Sequence, residues 1–545
     1  MEILGDLRIL HLLCLGGVYV LYKLLHQLFL WPYLLSPHRK IPGPPLRDPF
    51  LGVFPEIMHA EAGILQRQWV KQYGPVVRAV GPFGVERIIF MKPEALHRIL
   101  ISDWLEYPRP DFMRNILGVV AGYGLLTVTG NEHKQMRKVM NPAFSIPNLM
   151  AQTDMYYDSI ESLVDILSSA TNAQQDPSQG KEFLMYEWMS KVTLDIICET
   201  AFGYKTNSLR DPHNELAEAY EHLIGLQSGP NIARFIGLMS IPGAPFLFRS
   251  QWAYDHRHWF FKSSLLAPAA TTIESMYRIK SISQRILTER LSEAQSSAVN
   301  LEHDMQAKKD IMSLLVRARL AGDQANKGSG VKGYRMSDGA VMDQVLTFLG
   351  AGHETTASGL AWTLWLLAND PQSQRKLRAE VTPLLDANPR PSYRELKDLQ
   401  WLDCVVLESL RLMPPVPMTL RKAAKTGTID GVSVSKGTIL YIPIRVVNTW
   451  KEIWGDDAEE FNPARWHSLP NTYHPTYSML SFIAGPHACI GKTMAIIEMK
   501  SVLALLVANF EFEPSFPGQI VKPTAAVTMK PADSMPLRVK LVDRM

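Results

Sequence analysis

One ten-residue segment constrains this chain more than any other: Phe482-Ile483-Ala484-Gly485-Pro486-His487-Ala488-Cys489-Ile490-Gly491. A long apolar helix pattern follows at once, through Lys492, Thr493, Met494, Ala495, Ile496 and Ile497 to Val502–Val507. A thiol therefore lies in a Gly/Pro-rich loop against a helix N-terminus. The unpaired N–H groups and positive dipole end there lower a thiol's pKa and favour the thiolate. Gly485 and Gly491 let the backbone come close to the sulfur. Such a loop can hold a soft, anionic ligand with donors around it, as an iron porphyrin with an axial thiolate requires. A buried structural cysteine at a helix start would look the same if Cys489 stood alone. The arrangement of all ten residues carries the signal.

A second segment points to a helix through the interior. Ser337 is an N-cap candidate and Asn369-Asp370-Pro371 a stop. The stretch between is apolar nearly all round and predicts a helix of roughly 45 Å. In its middle stand Ala351-Gly352-His353-Glu354-Thr355-Thr356. A Thr hydroxyl there can take the carbonyl of residue i−4, distort the helix and open a polar notch for a small ligand or water. A kink with solvent-facing polar residues accounts for the same pattern. Further on, Leu399–Met413 reads as a helix with Glu408 and Arg411 on one face, among Cys404, Val405, Val406, Leu407, Leu410 and Leu412. That setting implies burial, where charges need firm partners, and Arg465 can supply a second cation.

The Cys489 loop resembles the heme-binding loop of the cytochrome P450 family (Phe-x-x-Gly-x-basic-x-Cys-x-Gly), with His487 where most members carry Arg. The long helix is similar to the family's Ala/Gly-Gly-x-Asp/Glu-Thr-Thr/Ser segment over the distal face of the heme. Glu408, Arg411 and Arg465 match its structural Glu–Arg–Arg cluster. The segment Gly130–Arg137 aligns with its Trp-x-x-x-Arg helix, with His133 in place of Trp. The resemblance covers about residues 41–540, and its motifs stand in family order. It implies heme b with Cys489 as iron ligand. It implies Thr355 bonded to bound oxygen and Glu354 feeding a proton relay, since O–O cleavage needs two protons in a dry site. It places His133, Arg137, Arg421 and His487 on the heme propionates, which need cations or donors. Each of those four, taken singly, also reads as a solvated basic residue.

Composition sets the outer limits. The chain has 545 residues, 46% apolar and 20% charged, enough for a large core. Net charge is +3 and no dense Lys/Arg run interleaves with aromatics, so nucleic acid is not an expected partner. Cys14, Cys198, Cys404 and Cys489 are scattered without a Cys-x-x-Cys pair. That argues against a zinc site and against a disulfide framework, and it suits a reducing compartment. Ile9–Leu30 is almost wholly apolar, broken by His11, Lys23, His26 and Gln27. As a helix it would span about 33 Å, near the thickness of a hydrocarbon core. Trp31 and Tyr33 suit a membrane interface, with His38-Arg39-Lys40 beyond it on the cytoplasmic side. A buried core helix is the competing reading. Ile41-Pro42-Gly43-Pro44-Pro45 then forms a stiff, extended link.

Val76–Val80 and Glu86–Phe90 read as a β-hairpin around Gly81-Pro82-Phe83-Gly84. A second strand pair is expected around Asp430-Gly431, with Val432, Val434, Ile439 and Leu440 as its apolar residues. Helices are expected over Ile160–Ser168, Glu187–Phe202, His213–Leu226, Ile273–Ala294 and Ala340–Ala368. Ser169–Gly180 and Ala321–Gly333 read as exposed loops. The fold class expected is mainly α with small β-sheets (α+β), a cytochrome P450 fold. Residues 1–40 form a membrane anchor and 41–545 one large helical catalytic domain around the heme.

The function expected is a single-pass membrane monooxygenase of the endoplasmic reticulum, its catalytic domain in the cytoplasm. No dinucleotide fingerprint follows a strand and no flavin-binding region is appended. Electrons are therefore expected from NADPH-cytochrome P450 reductase, with cytochrome b5 a further candidate donor. Lys134, Lys138 and Lys492 offer a basic docking face, and an ordinary solvated face reads equally well. The resemblance places substrate contacts on Phe112, Met113, Ile116 and Leu117, on Val416–Met418 and on Ala526–Met529. These are apolar, as is Ile232–Phe248, which suits contact with a membrane surface and a lipophilic substrate. The flavour of the loop resembles fungal members, many of which tailor terpenes, polyketides or alkaloids. Two other readings stand beside it: a heme-thiolate isomerase or dehydratase, and a non-catalytic heme sensor.

Overall fold

The structure is a computed structural model that describes residues 2–211, 213–226, 229–239, 241, 243–263, 266–296, 310–313, 336–524 and 527–542. The loop expected at Ala321–Gly333 lies outside the described residues. The chain divides into two compact units, residues 1–110 with 418–446 and residues 111–417 with 447–545.

The first unit is built on a four-stranded sheet. Strands β1 (Val76–Val80) and β2 (Glu86–Phe90) form the expected hairpin, in register from Val76 opposite Phe90 to Val80 opposite Glu86. Its turn places Phe83 and Gly84 in the left-handed region, at φ 55° and 70°. Asp430 and Gly431 make the second hairpin, both at positive φ as a two-residue turn demands. That hairpin joins β5 (Gly427–Ile429) to β6 (Val432–Val434) alone. Ile439 and Leu440 were expected beside it and instead lie in β7 (Ile439–Ile442). Strand β7 runs parallel to β2 and antiparallel to β4 (Thr419–Lys422). The reason is burial: every residue of β7 is buried, which suits a strand flanked on both edges.

The N-terminal helix runs from Glu2 to Leu25 and continues as a wider π-helical segment, His26–Leu35, that contains Pro32. His11–Leu35 is long and apolar enough to cross a membrane. Leu12, Leu13, Leu15, Val18 and Tyr19 are exposed, which fits a lipid-facing anchor and not a buried core helix. Its end is held by Glu86. The Glu86 carboxylate accepts from Trp31 Nε1 at 3.1 Å, Ser36 Oγ at 2.6 Å and Arg78 Nε at 2.7 Å, and contacts His38 Nδ1 at 2.9 Å. Arg78 Nη2 also donates to the Pro32 carbonyl at 2.6 Å. Burial pushes the Glu86 pKa up, but His38, Ser36 and Arg78 outweigh it, so the net direction is down. The proline link lies along β1, with Arg78 N–H on the Pro42 carbonyl at 2.9 Å. Gly43 is required there, because a Cβ would sit 1.7 Å from the Arg78 carbonyl oxygen.

The second unit is mostly helical, with a three-stranded sheet in the order β3 (Lys181–Leu184), β9 (Pro536–Leu541), β8 (Phe510–Pro514). The long helix is Asp338–Ala368, and the Ser337 hydroxyl caps it by accepting from Ala340 N–H at 3.1 Å. Its interior is apolar because helices surround it. Gly352 faces Ile197 of helix Met185–Phe202. Thr347 donates to the Ala121 carbonyl of helix Asp111–Ala121 at 2.7 Å. Thr363 and Ser409 hydroxyls meet at 2.7 Å, joining helix Gln400–Leu412. The other expected helices appear as Tyr157–Asn172, Glu215–Gly225 and Ala267–Ser296.

Candidate heme-thiolate site

Two left-handed residues shape the cysteine loop. Gly485 has φ 74°, and Ile483 has φ 56°, a costly conformation for a β-branched residue. They reverse the chain so that the Cys489 N–H closes on the Phe482 carbonyl at 2.8 Å. Helix Lys492–Asn509 starts three residues later. Cys489 keeps accessible surface yet lies amid the bulk of the protein, between the half-buried Ala488 and Ile490, so the surrounding protein still desolvates its sulfur. The expected lowering of the thiol pKa is corrected here. Burial pushes Cys489 up and outweighs the pull of the Gly491 N–H and the charges of Arg137 and Lys492. The helix end acts in the expected direction but is weaker than desolvation, so a bound cation is what would deprotonate this sulfur.

Helix Gly130–Met140 brings its basic face to the loop. Arg137 Nη1 donates to the Ala488 carbonyl at 2.5 Å. The His133 and His487 rings lie 4.0 Å apart between centroids, and His133 is buried. The structure thus gathers Cys489, His487, His133 and Arg137. Arg421 belongs to the other unit. It is buried, with Nη1 on Thr419 Oγ1 at 3.0 Å and the Leu420 carbonyl at 2.8 Å. Its Nη2 is buried without a partner among the described residues. Burial, then Arg109, push its pKa well down. A buried guanidinium with a spare donor is suited to an anion such as a propionate. Within the helical unit, one thiol in a donor-lined loop, two imidazoles and the Arg137 guanidinium fit an iron porphyrin.

On the long helix, Thr355 Oγ1 donates to the Ala351 carbonyl at 2.8 Å, and Thr356 to Gly352 at 3.0 Å. These are the expected i−4 back-bonds, yet the helix continues unbroken to Ala368. Glu354 is buried and its carboxylate accepts from the Thr528 hydroxyl. His353 is buried beside it, its Nδ1 3.1 Å from the Leu349 carbonyl, and burial lowers its pKa to about 4.

Glu408 and Arg411 are fully buried. Arg411 Nε and Nη2 each meet a Glu408 oxygen at 2.8 Å. Arg465 Nε reaches Glu408 at 3.3 Å, completing the expected cluster. Sequence reasoning missed Asp457, which takes both Arg465 Nη groups at 2.8 Å, and Trp466, whose Nε1 donates to Glu408 at 3.1 Å. The usable signal was the need of a second buried guanidinium for a second carboxylate. It also missed Thr528, inside a segment expected to touch substrate. Ala526 lies outside the described residues. Met529 is fully buried, and its carbonyl is taken by Ser358 and Trp362. The 526–529 expectation is therefore corrected at Met529: it is part of the core. Phe112 and Ile116 pack with Met239, Ala244 and Phe248 in an apolar cluster.

A mainly helical chain with a cysteine loop at a helix start and a buried acid–alcohol helix defines a heme-thiolate oxygenase. The family model for cytochrome P450 matches residues 42–535, and the chain belongs to that family. It is 34% identical to cytochrome P450 monooxygenase 205 of Postia placenta, over 90% of this chain and 89% of the relative. It is 29% identical to cytochrome P450 monooxygenase sphH of Aspergillus fumigatus, over 94% and 90%. It is 28% identical to ganoderic acid synthetase CYP5150L8 of Ganoderma lucidum, over 91% of both. The protein is a cytochrome P450 monooxygenase, of a family that binds heme, takes electrons from a redox partner and acts on small molecules.

Proposed function

We propose that this enzyme inserts one atom of dioxygen into an apolar small molecule delivered from a membrane, with Cys489 as the residue whose sulfur would hold the iron of heme b. The observation that carries the reading is the Cys489 loop, with its closed backbone and Arg137 on Ala488. Heme b bound there supplies the redox chemistry that activates dioxygen. The protein's own residues do the rest. His133, Arg137, Arg421 and His487 would hold the propionates. The Thr355 hydroxyl, which can leave the Ala351 carbonyl, orders water above the site. Glu354 takes up and hands on protons beside it, and its burial keeps that traffic away from bulk water.

Electrons come from NADPH-cytochrome P450 reductase, with cytochrome b5 as a second donor. Lys134, Lys138 and Lys492 are exposed and support docking of an acidic partner. The membrane is that of the endoplasmic reticulum, with the body in the cytoplasm. Ile241, Phe246, Leu247, Trp252 and Trp259 are exposed on one stretch of chain, Phe246 at 84%, which supports contact with lipid. The name of one relative, ganoderic acid synthetase, supports a tailoring step in secondary metabolism. The test is turnover under labelled dioxygen with reductase, NADPH and candidate metabolites. One labelled atom per product is expected. Product without label from dioxygen points to an isomerase or dehydratase.

A further inference from the structure

Residues 527–531 lie against the long helix on the face that carries Glu354. Ser358 and Trp362 follow Glu354 at four and eight residues, so the three share that face. The Met529 carbonyl accepts from Ser358 Oγ at 2.8 Å and Trp362 Nε1 at 2.7 Å. The Met529 N–H donates to the Pro415 carbonyl at 2.7 Å. Thr524 binds the Lys530 carbonyl through its N–H at 2.8 Å and its hydroxyl at 3.1 Å. This clamp fixes the two residues that flank Met529. Thr528 and Lys530 are both buried, and the Thr528 hydroxyl donates to Glu354 Oε1. Burial pushes the Lys530 ammonium down and the Glu354 charge pulls it up, so the two charges sense each other. Among the described residues, Tyr186 and Tyr220 also sense Glu354; burial raises both well above the ordinary phenol range, with Cys198 and then Glu354 adding at Tyr220.

We infer that Thr528 and Lys530 are positioning residues that latch the Glu354 carboxylate on the loop side of the helix, and that release from this latch governs proton delivery to Thr355. The inference rests on Glu354 being the relay acid. In the latched state the carboxylate accepts the Thr528 hydrogen bond while the Thr355 hydroxyl is turned to Ala351. The carboxylate takes one proton from a water molecule, which is left as hydroxide until solvent reprotonates it; the neutral acid loses the attraction of the Lys530 ammonium, leaves the latch, gives that proton to the water held by Thr355 and returns as a carboxylate. No other atom moves between groups, and the electrons are those the enzyme already handles. An opposite charge and a donated hydrogen bond both favour the ionised form of an acid, so removing either makes the acid hold its proton to higher pH.

The test is an infrared pH titration of the ferric holoenzyme, with the Glu354 carboxyl band assigned by its loss in E354Q. T528V and K530M should each raise the protonation midpoint of that band by about one pH unit or more, while T528S and K530R keep it near wild type. Should T528V shed heme, T528A removes the hydroxyl with less bulk. A second reading is the solvent deuterium isotope effect on NADPH oxidation with the flavoprotein reductase, expected to change in E354Q, T528V and K530M. Midpoints unmoved in both T528V and K530M overturn the latch. If E354Q alone changes the isotope effect, the latch fails while Glu354 stands as the relay acid. If E354Q leaves the isotope effect unchanged, the relay assignment falls and the latch falls with it.

Discussion

Replacing Glu408 by Gln tests how the helical unit is held together. Glu408 is fully buried and its two oxygens accept five bonds. One oxygen takes Arg411 Nη2 at 2.8 Å, Asn462 N–H at 3.0 Å and Arg465 Nε at 3.3 Å. The other takes Arg411 Nε at 2.8 Å and Trp466 Nε1 at 3.1 Å. An amide group at either oxygen turns at least two of those donors against a donor. Each buried donor left unmet costs about 1–3 kcal/mol. Arg465 keeps a carboxylate in Asp457, but Arg411 keeps only the carbonyls of Asn448, Ala458 and Glu460. An uncompensated buried charge of this kind costs about 3–5 kcal/mol, and that range is expected for E408Q. Arg465→Met should cost less, about 1–2 kcal/mol, because Glu408 keeps Arg411 and the half-exposed Asp457 can hydrate. Urea unfolding followed by both tryptophan fluorescence and the Soret band measures the two. A cost below about 1 kcal/mol for E408Q, or a larger cost for R465M, refutes the reasoning.

Three further outcomes follow from the same structure. Glu86 is held below its ordinary range, so the stability it contributes is complete above the unfolded value near 4.5 and is lost as pH falls through its lower folded value; E86Q should remove that part of the acid-side loss and free Trp31, read from its fluorescence between neutral and acid pH. Thr355→Ala removes the hydroxyl proposed to order water, and should raise the peroxide released per NADPH by several-fold while the heme spectrum stays unchanged. Phe246→Ser together with Trp259→Ser, both exposed, should weaken the binding to lipid vesicles of protein lacking the anchor helix; binding equal to the unsubstituted form would exclude that surface from the membrane.

Local pattern made some of this legible and distance hid the rest. The β1–β2 hairpin could be read because alternation and a Gly-Pro-x-Gly turn are local signals. The pairing of β7 with β2 could not, since its partner lies about 350 residues away and only burial distinguishes it. The long helix and its cap were visible in Ser337 and Pro371. Its acid's partner was not: Thr528 is 174 residues from Glu354, in a segment whose apolar neighbours pointed to a pocket lining. Glu408, Arg411 and Arg465 announced themselves as charges in an apolar setting, whereas Asp457 sits half-exposed and looks like any surface carboxylate. The Glu86 clamp was silent for the same reason, because the four groups it gathers come from Trp31–His38 and from Arg78. The thiol at 489 shows the limit of a local rule: the helix end favours the anion, and burial, a property of the whole fold, outweighs it.

The absorption spectrum of the reduced, carbon-monoxide-bound protein tests the assignment of Cys489 most directly, set against the same spectrum of Cys489→His. The wild type should show the long-wavelength Soret band that thiolate ligation produces, and C489H a band shifted to shorter wavelength with heme still bound. A wild-type band at the position of histidine-ligated heme, or a long-wavelength band that survives in C489H, would contradict it.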